Sequence, residues 1–330
     1  MRFLTQRWFL IALVLLFLVG SFGWRRLLWV AGDETAWIRD AIVAAVLFLM
    51  ALPVEARAMW RAIRQPTGPL LAIAISCLVL PLTAWGLANL MSRELAGGFL
   101  IAAAIPCTLA SASVWTRQAG GNDSISVLVT IVTNSLCFLI TPFWLAVMLG
   151  GAANARSLDA VELVVKLFWI VVLPIGLAQV VRLRQEIAGF AAEHKTVLGI
   201  ITQCGILTFV FTGAVQTGER LSGADRTGML AADLAVMIAC TVGLHTAMLF
   251  LGIGAAKLCG LSSGDGIAVG FAGSQKTLMV GLGIAVDSGF SVLPIIAYHI
   301  GQLLIDTLVA DHYRLRRAAA RPAETVRAAE

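Results

Sequence analysis

Polar residues divide this chain into apolar runs of nearly constant length. After Met1–Arg7 comes a run from Trp8 to about Gly23, then Trp37–Pro53, Pro69–Leu90, Ala96–Gln118 and Ser124–Leu149. The stretch Gly150–Asp159 is polar. A second series follows at Ala160–Val181, Thr196–Gln216, Gly228–Leu251, Gly264–Val286 and Ser291–Ala310. Each run is close to the ~20 residues that a helix needs to cross a bilayer. The pattern predicts an all-α polytopic membrane protein with ten transmembrane helices. The first run also has the form of a signal peptide, with Gly20 and Ser21 as a weak cleavage site, but the many later spans favour a retained first helix.

Five spans on each side of the polar stretch give the two halves opposite orientation, the arrangement of inverted-repeat transporters. Residues 1–149 and 150–312 are the expected repeats, and 313–330 the expected basic tail without fixed structure. The fourth span of each half carries a break signal. In span 4, Pro106 removes a backbone donor and small polar residues follow. In span 9, Gly264–Ala285 is rich in glycine and holds Gln275 and Lys276 near its middle. The approaches match as well, Leu95-Ala-Gly-Gly against Leu261-Ser-Ser-Gly. Interrupted spans at corresponding positions of two halves point to a binding site at the membrane midplane.

Composition narrows the class. The chain is 59% hydrophobic and 13% charged, against roughly 25% charged in soluble domains, so an integral protein of an inner or plasma membrane is expected. The net charge of +5 sits in loops and tail, where it reports topology and not a nucleic-acid partner. Fifteen of the 24 Lys and Arg residues, among them Arg57, Arg61, Arg64, Arg182, Lys195 and Arg314, fall on the side of the termini, and seven, among them Arg39, Arg156 and Arg226, on the other. Both termini are therefore expected in the cytoplasm. The six cysteines lie in or beside apolar runs without a CxxC pair, which gives neither a metal site nor a disulfide framework.

Lys276 is the first candidate for chemistry. A lysine at mid-membrane depth costs about 2.5–3.5 kcal/mol on insertion scales, and Lys276 is too far from either end of its span to snorkel to water. If span 9 reopens near Ser274, Gln275 and Lys276 occupy the first turn of a half-helix, at the positive end of its dipole. An anionic substrate would then supply the missing charge. The expected substrate-binding residues are Lys276, Gln275, Ser274, Ser111, Ser113 and Asn134. Ser and Thr in such spans equally well bond the carbonyl of the preceding turn. Asp306 in span 10 is the expected counter-ion of Lys276 or part of a proton relay, although it lies toward the cytoplasmic end. His299 and His245 are further proton carriers. Lys166 is expected to snorkel outward. Asp265 and Asp306 lie in different spans, as in an intramembrane aspartyl protease, but Asp265 sits at the entrance of its span, so an enzyme is not expected.

The motifs FLMALPVEARAMWRAIRQP, PCTLASAS, GGNDSISVLVTIVTNSLCFLITP and GSQK resemble the bile acid:sodium symporter family, in its solute carrier family 10 member 7-like branch, and the resemblance extends over nearly the whole chain. It implies ten helices in a panel and a core, with spans 4 and 9 crossing at their breaks, and sodium-coupled uptake of organic anions. It also implies sodium ligands at Ser111, Ser126, Thr130, Gln275 and Ser76, with no cofactor beyond that ion. The chain departs from the family pattern at Ala112, where an asparagine is usual, at Phe271, where an acidic residue is usual, and at Lys276. The expected function is secondary active transport of a small organic anion by alternating access. Sodium coupling, proton coupling, uncoupled transport with Lys276 replacing a sodium ion, and a non-transporting sensor of the same fold stay open.

Overall fold

The computed structural model describes residues 2–27, 36–55, 59–150, 159–223 and 231–320. Outside them lie Arg57, Arg156, Arg226 and most of the polar stretch between the two series of spans, as well as residues 321–330 of the expected tail. All regular structure among the described residues is helical. Helix α1 is Arg2–Leu27, α2 Ala36–Ala51 and α3 Met59–Arg64. Next come α4 (Thr67–Ala74), α5 (Leu80–Leu87), α6 (Arg93–Ala104), α7 (Ser111–Ala119), α8 (Asp123–Ser135) and α9 (Cys137–Leu149). The remaining helices are α10 (Ala160–Leu167), α11 (Leu173–Val181), α12 (Gln185–Glu193), α13 (Lys195–Gly223), α14 (Ala231–Leu258), α15 (Ser263–Ser274), α16 (Leu278–Ser288) and α17 (Leu293–Ala320). Six helical stretches, Thr67–Leu90, Ala160–Val181, Lys195–Glu219, Ala231–Leu258, Ser263–Ser288 and Leu293–Arg317, are long and apolar enough to cross a membrane. The pair α8–α9, bent by 66°, makes a seventh if it is one span.

Proline shapes two of these stretches. Between α4 and α5 the chain makes a π turn, Ile75–Val79, so that Leu80 N–H reaches back to Ile75 O. Ser76 O is thereby deprived of Leu80, and the next donor in the π register is Pro81, which has none. Cys77 O, four residues before Pro81, loses its helical donor for the same reason. Both carbonyls are used from outside: Trp144 Nε1 donates to Cys77 O at 2.7 Å, and Ser76 O is taken up at the site described below. A second π turn, Phe168–Val172, precedes Pro174 between α10 and α11.

The helices pack in two groups. In one, α1 lies along α13, and α2 packs on α13 and α11. In the other, α15 is surrounded by α14, α4, α7 and α8, while α17 packs on α14, α6 and α7. The groups meet where α16 touches α13 and α2 and where α9 touches α10. Glycine sets the spacing around α15: a Cβ on Gly270 would lie 2.8 Å from Leu249 O of α14. Every residue in the most apolar stretch of Ser263–Ser288 is buried, so this broken helix is the centre of the fold.

Three expectations are corrected. Residues 313–320, assigned to the tail, continue α17 to Ala320, because no glycine or proline intervenes before Pro322. The run Ser124–Leu149 breaks at Leu136, whose ψ of 0° leaves the helical region. Lys166 does not snorkel free; it bridges Asp40 at 3.1 Å and Asp287 at 2.8 Å.

Candidate functional site

Two broken helices meet at the centre. Ile105, held extended (φ −72°, ψ 160°) as a residue before proline must be, ends α6, and α7 resumes at Ser111. Gln275 (ψ 143°) and Thr277 (ψ 129°) are likewise extended between α15 and α16. The breaks are joined directly, with Thr277 N–H donating to Pro106 O at 3.0 Å. A buried break leaves backbone carbonyls without helical donors, and each must be satisfied. Along the first break the donors come one residue at a time. Thr141 Oγ1 donates to Ala104 O (2.9 Å), Lys276 Nζ to Ile105 O (2.9 Å), Asn134 Nδ2 to Cys107 O (2.8 Å) and Thr130 Oγ1 to Thr108 O (3.1 Å). At the second break Tyr298 OH donates to Ser274 O at 2.7 Å. Gln302 clamps Lys276 from both sides, accepting from its N–H at 3.0 Å and donating to its carbonyl at 3.1 Å.

The Lys276 ammonium, on a side chain 3% exposed, donates to three neutral oxygens: Ser76 O at 2.7 Å, Ile105 O at 2.9 Å and Ser76 Oγ at 3.2 Å. Two of these are backbone carbonyls, Ser76 O freed by the π turn before Pro81 and Ile105 O by the first break, at the negative end of α6. Among the described residues no carboxylate pairs with it. Asp306, the expected counter-ion, has one oxygen on His245 Nε2 at 2.9 Å and receives Gln275 Nε2 on the other. Since Ser274 O, 3.3 Å from His245 Nδ1, can only accept, Nδ1 carries a hydrogen. The Nε2–Asp306 contact then holds one shared proton, on the imidazole or on the carboxyl. Asp306 is fully buried at the crossover. Its expected position toward a helix end came from ending span 10 ten residues too early.

Gln275 ties the two breaks together through its side chain. Its Oε1 accepts from Thr108 Oγ1 at 2.8 Å and from Ser111 Oγ at 2.9 Å. The other expected residues disperse. Ser274 Oγ turns back to Gly270 O at 2.8 Å inside α15, and Ser113 Oγ to the carbonyl of Ala110, the residue before α7, at 3.2 Å. Ser126 Oγ pairs with Thr116 Oγ1 at 2.7 Å. Asn134 Oδ1 is buried and has no partner among the described residues. Of the five implied sodium ligands, Ser111, Gln275 and Thr130 all bond Thr108, while Ser126 pairs with Thr116 and Ser76 with Lys276. Phe271 fills the acidic position of the family pattern from within an apolar cluster with Ala119, Leu249, Ile267 and Ala310.

A cavity of about 330 Å³ reaches the crossover between the two helix groups, where Thr108, Ser111, Thr277 and His299 line its inner end. Its walls are mostly apolar, from Phe9, Met50, Trp115 and Ile206, and Pro53 and Lys195 stand toward its mouth. His299 is 8% exposed. Its Nδ1 accepts from Gln302 Nε2 at 2.9 Å, which leaves the ring proton on Nε2. The first turns of α7, where Ala112 N–H donates to Thr108 Oγ1 at 3.2 Å, and of α16, which has no side-chain cap, begin at the same place. Sequence reasoning missed Thr108, Tyr298 and Gln302. Tyr298, Gln302 and Asp306 recur every fourth residue in α17, and that polar stripe is the signal in the sequence.

A family model described as the SBF-like CPA transporter family matches residues 7–315. An uncharacterized protein of Pseudomonas aeruginosa is 28% identical over 300 residues, covering 87% of this chain and 88% of that protein. The sodium/bile acid cotransporter 7-B of Xenopus laevis is 22% identical over 324 residues, covering 93% and 91%. The probable sodium/metabolite cotransporter BASS4, chloroplastic, of Arabidopsis thaliana is 27% identical over 248 residues, covering 70% of this chain and 55% of that protein.

Proposed function

This chain belongs to the SBF-like CPA transporter family, and we propose that it carries a small organic anion by alternating access, with the Lys276 ammonium fixed where a bound cation would otherwise sit. It is an integral membrane transporter and not an enzyme. The observation that carries the reading is the cavity that ends on two half-helix N-termini. The uncapped first turn of α16, the first turn of α7 and the His299 ring give an anion converging donors in a largely apolar pocket. Ser111 and Thr108 line the same end and can turn toward the ligand.

In this reading the ten helical passes α1, α2, α4–α5, α6–α7, α8–α9, α10–α11, α13, α14, α15–α16 and α17 are ten spans forming two inverted repeats, residues 1–149 and 150–312, which support each other through the paired breaks. With both termini in the cytoplasm, the cavity opens to the cytoplasm, because Pro53 and Lys195 follow span 2 and precede span 7.

Lys276 reaches the cavity less directly than the sequence suggested. Its ammonium points to Ser76 and Ile105 and acts on the anion through its field, while its backbone shapes the break. A cation bound by carbonyl oxygens is what that pocket accommodates, and the ammonium supplies it permanently. The residues do not fit the sodium ion that the resemblance implies: Ser126 and Ser76 are bonded elsewhere, to Thr116 and Lys276, no carboxylate is among the five, and Phe271 stands in the acidic place. Transport therefore proceeds without sodium.

The test is a panel of small mono- and dicarboxylates, each with its neutral amide, screened for thermal stabilisation of the purified protein and then for uptake into proteoliposomes. Stabilisation by acids and not by amides, followed by uptake, is the expected result. Stabilisation without uptake would make the protein a sensor, and preference for the amides would remove the anion site.

A further inference from the structure

The cavity at the crossover has a counterpart at the other end of the same helices. A second cavity, of about 160 Å³, lies between α2, α10 and α16 and is lined by Val43, Leu163, Gly283 and Ile284, with Lys166 and Asp287 also in its wall. Met279, 2% exposed, lines both cavities. On α2, Leu49 and Met50 face the first cavity, while Arg39 and Asp40 lie about ten residues away, roughly 15 Å at 1.5 Å of rise per residue. On α16, Met279 stands at the start and Asp287 near the end. One face of the crossover is thus open, and the other is crossed by charge.

Resting on the alternating-access reading above, we propose that Asp40, Lys166 and Asp287 form an ionic gate that holds the second cavity shut while the first is open. Lys166 Nζ on α10 bridges Asp40 of α2 at 3.1 Å and Asp287 of α16 at 2.8 Å, and Arg39 of α2 approaches Asp287 at 3.6 Å. Asp287 belongs to the helix group of the crossover; Arg39, Asp40 and Lys166 belong to the other. The contact to Asp287 joins the groups and must break when they move apart at this end. Asp159 and Glu162 line the same cavity and give the released lysine acidic groups to meet on its own helix, so opening need not strand its charge. The three paired side chains retain about a third of their exposure, 27%, 33% and 31% for Lys166, Asp40 and Asp287. Pairs so exposed are individually weak, which suits a contact that must open and reclose in every cycle.

The two cavities each offer a glycine at which an added Cβ meets nothing within 4 Å, Gly199 in the first and Gly283 in the second. With the exposed Cys204 and Cys259 replaced by serine, G199C and G283C report access to either side by their rates of labelling with a bulky maleimide in lipid nanodiscs. In the otherwise wild-type chain the first reporter labels readily and the second slowly. Lys166→Met is expected to raise the second rate and lower the first, shifting their ratio about 2- to 10-fold, the effect of losing two partly exposed pairs. Asp287→Asn should act in the same direction, and the double substitution should add little, as for partners in one contact. A faster second rate with an unchanged first would mean local fraying and overturn the gate. Slow but measurable labelling of the second reporter that neither substitution alters would overturn the gate and leave alternating access standing. No labelling of the second reporter in any variant would overturn both.

Discussion

Replacing Lys276 by methionine removes the ammonium and keeps most of the volume. Ser76 O and Ile105 O then lose their donor, and neither can find another nearby: the π turn and Pro81 deprive the first, and the end of α6 at Pro106 deprives the second. An orphaned buried acceptor costs about 1–3 kcal/mol, so the two carbonyls cost about 2–6 kcal/mol together. Removing a buried, unpaired charge returns part of that, and we expect a net loss of about 1–3 kcal/mol. The vacated space is lined by oxygens and should now admit a cation. Thermal unfolding of both proteins, followed by tryptophan fluorescence over a series of sodium against choline at constant ionic strength, separates the effects. The variant should unfold earlier in choline and recover selectively in sodium, by up to about 2.7 kcal/mol at a hundredfold excess over its Kd. The unsubstituted protein should show no such selectivity. An undiminished unfolding temperature in choline, or selective stabilisation of the unsubstituted chain by sodium, would refute the assignment of the ammonium as a resident cation.

Other substitutions probe the scaffold and the ligand end separately. Trp144→Phe keeps the aromatic packing but leaves Cys77 O without its 2.7 Å donor; a loss of about 1–3 kcal/mol in unfolding free energy is expected, and none would show that water replaces the indole. Gly270→Ala pushes a methyl against Leu249 O and the Ile253 side chain, both at 2.8 Å. It should cost about 1–3 kcal/mol by overpacking α14 against α15, read as a lowered unfolding midpoint, and an unchanged midpoint would mean that the helices part freely. His299→Phe removes a ring donor of the cavity together with the 2.9 Å contact to Gln302, and should weaken carboxylate binding about tenfold while costing about 1–3 kcal/mol of stability; equal affinity would place the anion elsewhere.

The parts of the account that were legible in the sequence are those with a strong local cause. Pro106 and the glycine-rich run around Gln275 mark the breaks because a missing donor and a missing Cβ act wherever the chain is placed. Lys276 stood out because burying an ammonium is costly in any fold. What could not be read was direction. Sequence puts Lys276 at the crossover but not which oxygens it chooses, since the freeing of Ser76 O depends on a π turn in span 3, 200 residues and six spans before Lys276. The glycine at 270 serves a second purpose that local pattern does not show, the close approach of α14. Asp306 was displaced from the site by an error in helix length, and its partner His245 comes from a different helix with no periodicity linking the two. Lys166 looked like an isolated cation at the end of a span because Asp40 and Asp287 lie more than a hundred positions from it in sequence.

The most direct measurement of the central claim is uptake of the best-bound carboxylate into proteoliposomes with sodium or choline as the only external cation. The account predicts equal initial rates in the two salts. Uptake that requires sodium would contradict it, and would mean that dispersed hydroxyls and Gln275 assemble an ion site despite the ammonium beside them.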